Sequence, residues 1–242
     1  MTRIFSIYYW IIALGYFGPI LFILLIRSFF QAPHLYDAWL RNRLHTLFKI
    51  IKSSPRIEFA EPLPEGEPLI FMANHSSLID IPLLKAVIPH FFQGIIAEDQ
   101  LKYPLYGTVV KRVGNIPIPR NDIRGSLKSF QLAKNELERG TQITVLPEGG
   151  RSLDGRLIPF KRMVFRFAKE SGAHIVPISI SGVFNMKSKD SFQLKPGKVI
   201  VRFGHIIRSE AIADLESDEV LDMTYKAIYE GLEPFEAGGS TR

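Results

Sequence analysis

An uninterrupted apolar segment near the N-terminus limits what this chain can fold into. No residue from Ile4 to Ile26 carries a charge, and these 23 residues are enough to cross the hydrocarbon core of a bilayer. Gly15 and the pair Gly18-Pro19 could kink such a helix or divide it into a re-entrant pair. We expect this segment to enter a membrane, either spanning it or dipping into one side. A buried core helix is the alternative.

A helical pattern with one apolar and one basic side follows between residues 35 and 52. The apolar side consists of Tyr36, Trp39, Leu40, Leu44, Leu47, Phe48 and Ile51, and the basic side of Arg41, His45, Lys49 and Lys52. Such a helix suits an anionic membrane surface. Packing of its apolar side on the first helix or on the rest of the protein fits the pattern equally well.

The charges that flank the apolar segment predict its orientation. Arg27 and the basic residues after it outnumber Arg3, and positively charged flanks favour the cytoplasmic side. We therefore expect the inner cell membrane, with the remainder of the chain facing the cytoplasm. In this division, residues 1–54 are a membrane-associated helical segment, 55–237 a folded domain and 238–242 a C-terminal tail.

Charge and cysteine content narrow the classes of function. The net charge of +6 and the pI of about 9.5 suit an anionic partner, such as a membrane surface, a phosphorylated substrate, a nucleotide-bearing cofactor or nucleic acid. The chain has no cysteine, which excludes disulfides, a thiolate nucleophile and a cysteine-ligated zinc site. We find no metal-binding cluster, nucleotide-binding glycine loop or nucleic-acid motif in the sequence.

Strand-like and helix-like segments alternate after residue 68. Strands are expected at 69–73, 94–97, 143–146, 175–180 and 199–203, and helices at 78–87, between Asp122 and Gly140, and at 163–168. Alternation of this kind predicts an α/β fold with a mostly parallel or mixed sheet flanked by helices. Active sites in such folds gather where the strands end.

His75 and Asp80 are the residues that most directly indicate chemistry. A histidine that leaves the end of a strand can act as a general base, and a nearby carboxylate can hold its second ring nitrogen. Residues five apart on a continuous helix diverge by about 140°. The two side chains can therefore meet only if His75 lies in the turn and Asp80 lies early in the following helix. The alternative is a histidine that caps the helix.

Four segments in order resemble the glycerolipid acyltransferase family, which includes the bacterial 1-acylglycerol-3-phosphate acyltransferases. They are Asn74–Asp80, Gly114–Arg120, Leu146–Ser152 and Ile175–Ile180. They correspond to the family's Asn-His-x-x-x-x-Asp, Gly…Arg, Phe-Pro-Glu-Gly-Thr-Arg-Ser and Val-Pro-Ile-like motifs. The resemblance covers about residues 68 to 183. The departures are Leu146 for phenylalanine, Gly150 for threonine, Pro117 and Pro119 for Phe and Asp, and Met163 for glycine.

The resemblance implies acyl transfer from a thioester to a hydroxyl group, with His75 as the base and Asp80 as its partner. Arg120 and Arg151 would bind the phosphate of the acceptor. Glu148 would hydrogen-bond the glycerol of the acceptor or order the loop of Arg151, with a structural ion pair as the alternative. Gly149, together with Gly150, would offer backbone N–H groups to the phosphate or to the oxyanion.

The expected function is a membrane-bound enzyme that places a fatty acyl chain on the sn-2 hydroxyl of 1-acylglycerol 3-phosphate. No permanently bound cofactor is expected. The donor would be acyl-CoA or acyl-acyl carrier protein. The partners would be the lysophospholipid, the lipid bilayer and, with the second donor, acyl carrier protein.

Another lysophospholipid or a lyso-aminolipid is the alternative acceptor. A lipid hydrolase is a further alternative, although the chain has no Gly-x-Ser-x-Gly motif. A catalytically silent lipid-binding module is the third.

Overall fold

A computed structural model describes residues 3–237, and the predicted tail 238–242 lies outside the described residues. The centre of the fold is a sheet of seven strands in the order β1-β7-β6-β2-β5-β3-β4. The strands are β1 (Pro55–Phe59), β2 (Leu69–Ala73), β3 (Phe92–Ala97), β4 (Ile116–Ile118), β5 (Gln142–Val145), β6 (His174–Ser181) and β7 (Val199–Phe203). Neighbouring strands are parallel except β6 and β7, which are antiparallel. This confirms the predicted mixed α/β sheet.

Helices cover both faces of the sheet. They are α1 (Arg3–Phe30), α2 (Asp37–Ile50), α3 (Asp80–Val87), α4 (Tyr106–Arg112), α5 (Ile123–Glu138), α6 (Arg162–Ser171), α7 (Val183–Met186), α8 (Ser209–Ile212) and α9 (Ser217–Gly231). Short 3₁₀ turns span Pro33–Tyr36 and Glu98–Lys102. The predicted helix between Asp122 and Gly140 is α5, and Asp122 is its N-cap residue, although its side chain makes no capping hydrogen bond.

The central strand β2 divides the core into two layers. All five of its residues are buried, and successive side chains point to opposite faces of the sheet. Leu69, Phe71 and Ala73 belong to the layer that contains α1, α2 and α3. Ile70 and Met72 belong to the layer under α5, α6 and α9. A strand buried on both faces explains why its sequence reads as a continuous apolar run.

Helix α2 packs against the protein with its apolar side. Six of the seven predicted apolar positions are buried, and only Trp39 is half-buried. Asp37, its first residue, pairs with Lys85 on α3 and with Arg41 at 2.6 Å. The packing interpretation is therefore confirmed, because this apolar side already contacts the core and is not open to lipid.

Helix α1 is continuous through Pro19 and is tied to the protein at both ends. Near its start, Ser6 Oγ accepts a hydrogen bond from Leu194 N at 2.8 Å, and Trp10 Nε1 donates to Phe192 O at 2.7 Å. Near its end, Arg112 donates to the main-chain oxygen of Ser28 at 2.9 Å. α1 is long and apolar enough to cross a membrane, and 17% of its most apolar window is buried. That exposure does not fit a buried core helix.

Candidate active site

His75 and Asp80 meet where β2 ends and α3 begins. Residues 74–79 form the connection, so His75 lies in the turn and Asp80 is the first residue of α3. His75 Nδ1 lies 2.7 Å from Asp80 Oδ2. The Asp80 side chain is fully buried, whereas the His75 side chain keeps 15% of its surface exposed. The predicted contact and the geometry on which it depended are confirmed.

Asp80 is held in place by the main chain around it. Its Oδ2 atom also accepts hydrogen bonds from the backbone N–H groups of Ser76 and Ser77, both at 2.8 Å. Three donors converge on one oxygen, and the N-terminal end of α3 favours a negative charge there. The arrangement assigns the proton to His75 Nδ1 and leaves Nε2 as the basic nitrogen.

Asn74 attaches this loop to the neighbouring strand. Its side-chain amide donates to Ile180 O at 2.9 Å and its Oδ1 accepts from Ile180 N at 2.7 Å, as a strand residue would. Ser77 Oγ donates to Lys187 O at 2.6 Å. The loop of His75 is thus fixed to β6 and to the segment that follows α7.

The loop after β5 holds the main chain of His75 from both sides. Glu148 Oε1 accepts from His75 N at 2.5 Å, and His75 O accepts from Ser152 N at 2.9 Å. The second carboxyl oxygen of Glu148 accepts from Ile158 N at 3.3 Å. Glu148 is buried and makes no ion pair within residues 3–237. Sequence reasoning did not connect Glu148 to His75, because 73 residues separate them and the contact is to a backbone group.

Burial raises the pKa of Glu148 to about 8, with a further contribution from the charge of Asp80, against the lowering effect of its two backbone donors. A raised pKa means that the folded state binds the proton more tightly than the unfolded state. Stability from this group is complete below the unfolded value near 4.5 and is lost as the pH rises towards 8. The slope is about 1.4 kcal/mol per pH unit.

We expect Glu148→Gln to remove this slope, because an amide does not titrate. Urea denaturation of both proteins in detergent, at intervals from pH 5 to 9, measures this pH dependence. The free energy of unfolding should fall more steeply with pH for the wild type than for Glu148→Gln. Glu65→Gln, at an exposed glutamate, is the matched control. If the free energy of unfolding falls equally with pH in wild type and Glu148→Gln, the raised pKa of Glu148 is contradicted.

The residues predicted to bind phosphate differ from one another in exposure and in their contacts. Arg151 follows the Glu148 turn, is half-buried and has no carboxylate within 4.0 Å in the described part of the chain. Arg120 follows β4, keeps 60% of its side chain exposed and lies 3.9 Å from Asp99. Gly149 adopts φ +69° and donates its N–H to Leu146 O at 3.0 Å, so that N–H is already used within the turn. A side chain at Gly149 would also meet Lys161.

Lys187 lies near this site, and no role was predicted for it. Only 7% of its surface is exposed, and its main chain receives the Ser77 hydroxyl described above. Within the described range 3–237, no group of three or more histidine and acidic side chains is arranged to hold a metal ion.

Comparison with known proteins identifies the family of this chain. The family model "Acyltransferase" matches residues 54–181, which is more than half of the chain. A 1-acyl-sn-glycerol-3-phosphate acyltransferase of Chlamydomonas reinhardtii is 30% identical over 179 residues, covering 74% of this chain and 52% of the relative. One of Neisseria gonorrhoeae is 30% identical over 126 residues, covering 51% of this chain and 48% of the relative. The chain thus spans about half the length of the curated relatives it matches.

A solved structure shows the same fold. The crystal structure of the 1-acyl-sn-glycerophosphate (LPA) acyltransferase from Thermotoga maritima superposes with a TM-score of 0.79 at 24% sequence identity. The match covers 95% of this chain and 93% of that one. The family match spans β1 to β6 and includes every residue of the His75 loop and of the Glu148 turn. The chain therefore belongs to the acyltransferase family.

Proposed function

We propose that this protein transfers a fatty acyl group from an acyl thioester to the sn-2 hydroxyl of 1-acylglycerol 3-phosphate, giving phosphatidic acid. The observation that carries the proposal is the 2.7 Å contact between His75 Nδ1 and Asp80 Oδ2 in an acyltransferase fold. Because Nδ1 faces a buried carboxylate, Nε2 is the nitrogen available to take a proton from an alcohol.

The chemical step needs no covalent enzyme intermediate. His75 Nε2 removes the proton of the acceptor hydroxyl as its oxygen attacks the thioester carbonyl carbon. The new C–O bond forms, the C–S bond breaks, and the imidazolium returns its proton to the departing thiolate. Asp80 stabilises the imidazolium through the Nδ1–H hydrogen bond. Glu148 keeps the His75 main chain in position throughout.

The acceptor is proposed from the relatives and from charge. The curated relatives are named for 1-acyl-sn-glycerol 3-phosphate, and a guanidinium pairs well with a phosphate dianion. Arg151, which lacks a carboxylate partner among the described residues, fits this role best. Arg120 stands further out beside Asp99 and is proposed as a secondary contact. Acyl-CoA and acyl-acyl carrier protein both carry the thioester that the reaction needs.

The test is a direct assay. Purified protein in mixed micelles, supplied with a labelled acyl thioester and a panel of lysolipids, should produce labelled phosphatidic acid from 1-acylglycerol 3-phosphate. Faster acylation of another lysophospholipid or of a lyso-aminolipid would correct the acceptor. Release of labelled fatty acid without an acceptor would identify a hydrolase and contradict the proposal.

We further propose that α1 lies in the cytoplasmic leaflet of the inner membrane instead of crossing it. Both of its ends bind the same folded unit, so a perpendicular crossing would have to break one set of contacts. The outward side is apolar from Ile4 onwards; its large exposed apolar residues are Ile4, Phe5, Ile7, Tyr8, Ile11, Leu14, Phe22, Ile23, Ile26, Phe29 and Phe30. Arg27 and Arg112 lie near its C-terminal end, where they suit anionic head groups.

Single cysteines can test this orientation without background, because the chain contains none. We expect Arg3→Cys and Gln31→Cys, at exposed positions near the two ends of α1, both to react with an impermeant maleimide only in inside-out vesicles. A spanning helix would make Arg3→Cys react in right-side-out vesicles instead. Because the attachment is apolar, a high-salt wash should leave the protein in the membrane.

A further inference from the structure

Lys187 is a cation held unusually close to the proposed catalytic pair. Its main-chain oxygen accepts from Ser77 Oγ, and Ser77 N donates to Asp80 Oδ2, so two hydrogen bonds connect Lys187 to the catalytic carboxylate. The residue is 7% exposed, which is rare for a lysine without an acidic partner.

Arg151 belongs to a segment that is attached to the same loop. The next residue, Ser152, donates its N–H to His75 O, so Arg151 is fixed directly beside the catalytic histidine. Burial lowers the pKa of Lys187 most, the positive charge of Arg151 lowers it further, and Asp190 opposes both. Hydrogen bonds attach both segments to the loop of residues 75–77: Lys187 O accepts from Ser77 Oγ, and Ser152 N, next to Arg151, donates to His75 O.

Neither cation makes an ion pair within the described part of the chain. No carboxylate lies within 4.0 Å of either cation, and Lys187 Nζ makes a single hydrogen bond, to Ser188 O at 2.7 Å. An ammonium group has three N–H donors, so two remain for a ligand. Two neighbouring cations without a counter-ion favour a dianion between them.

The segment that carries Lys187 also borders the membrane-facing helix. Phe192 O and Leu194 N, a few residues after Lys187, bind Trp10 and Ser6 of α1. A lysolipid with its acyl chain along α1 would bring its head group to this segment and its hydroxyl to His75.

We propose that Lys187 and Arg151 together bind the phosphate of the lysophospholipid acceptor, an inference that rests on the proposed function. Lys187→Met keeps the length of the side chain and removes the charge. We expect the KM for 1-acylglycerol 3-phosphate to rise by about 10- to 100-fold, as for the loss of a charged hydrogen bond. The KM for the acyl thioester should stay unchanged, and Lys187→Arg should restore most of the acceptor affinity.

Lys189→Met, at an exposed lysine of the same segment, is the matched control and should behave as wild type. If Lys187→Met does not fold, Lys187→Gln gives the same comparison. An unchanged acceptor KM would overturn the proposal, and so would a rise in the thioester KM alone, which would assign Lys187 to the phosphates of the donor. A wild-type protein that acylates no lysolipid would instead contradict the proposed function itself, so the two failures are distinguishable.

Discussion

Replacing His75 by alanine should lower kcat for acyl transfer by about 10²- to 10⁴-fold, the usual contribution of a general base. The acceptor KM should change little, because the residues that we propose for phosphate binding are other side chains. The fold should persist, since alanine keeps the backbone N–H and C=O hydrogen bonds of His75 and removes only the side-chain contact with Asp80. Single-turnover kinetics with saturating thioester measure the effect on the chemical step.

His205→Ala is the matched control for this experiment. His205 keeps 85% of its side chain exposed and lies 3.4 Å from Glu61, so its removal should leave kcat at the wild-type value. Wild-type activity in His75→Ala would contradict the mechanism and favour a catalytically silent, lipid-binding protein. Equal losses in both variants would indicate a general effect on the preparation.

Asp80→Asn should lower kcat by up to about 10⁴-fold, as loss of the carboxylate does in hydrolase triads. The amide oxygen can still accept from Ser76 N and Ser77 N, so the loop should keep its shape. What disappears is the negative charge that, in the proposed mechanism, stabilises the imidazolium. A fall in kcat with an unchanged acceptor KM and an unchanged melting temperature is the expected result.

Asp80→Ala separates the catalytic and structural roles of this residue. Alanine leaves two buried backbone N–H groups without acceptors, at a cost of about 1–3 kcal/mol each. We therefore expect Asp80→Ala to unfold at a lower temperature than Asp80→Asn while both remain inactive. An active Asp80→Asn would show that the carboxylate serves the fold alone.

The sequence predicted the interior of the sheet better than its edges. β2, β5, β6 and β7 appear as apolar runs because helices cover both of their faces. The strands that escaped prediction, β1 and β4, are the two edges of the sheet. Both contain proline, in Pro-Arg-Ile-Glu-Phe and Ile-Pro-Ile. Proline is tolerated in edge strands, but in a sequence it indicates a turn, so these strands were not predicted. Helix α9 was also not predicted.

In the candidate site, the local contact was predicted and the long-range contacts were not. The contact of His75 with Asp80 spans five residues and follows from the geometry of one turn. The contacts that fix this turn join residues 73 and 106 positions apart, and each ends on a backbone N–H or C=O. Every residue carries those groups, so the sequence gives no sign of which pair will meet.

The tie between Ser6 and Leu194 has a consequence for synthesis. These residues are 188 positions apart, so the ribosome completes most of the chain before the partner of the N-terminal end of α1 exists. At translation rates of about 5–20 residues per second, that interval is about 10 to 40 s. We therefore expect the N-terminal end of the nascent helix to meet lipid or a chaperone before it can bind the segment around Leu194.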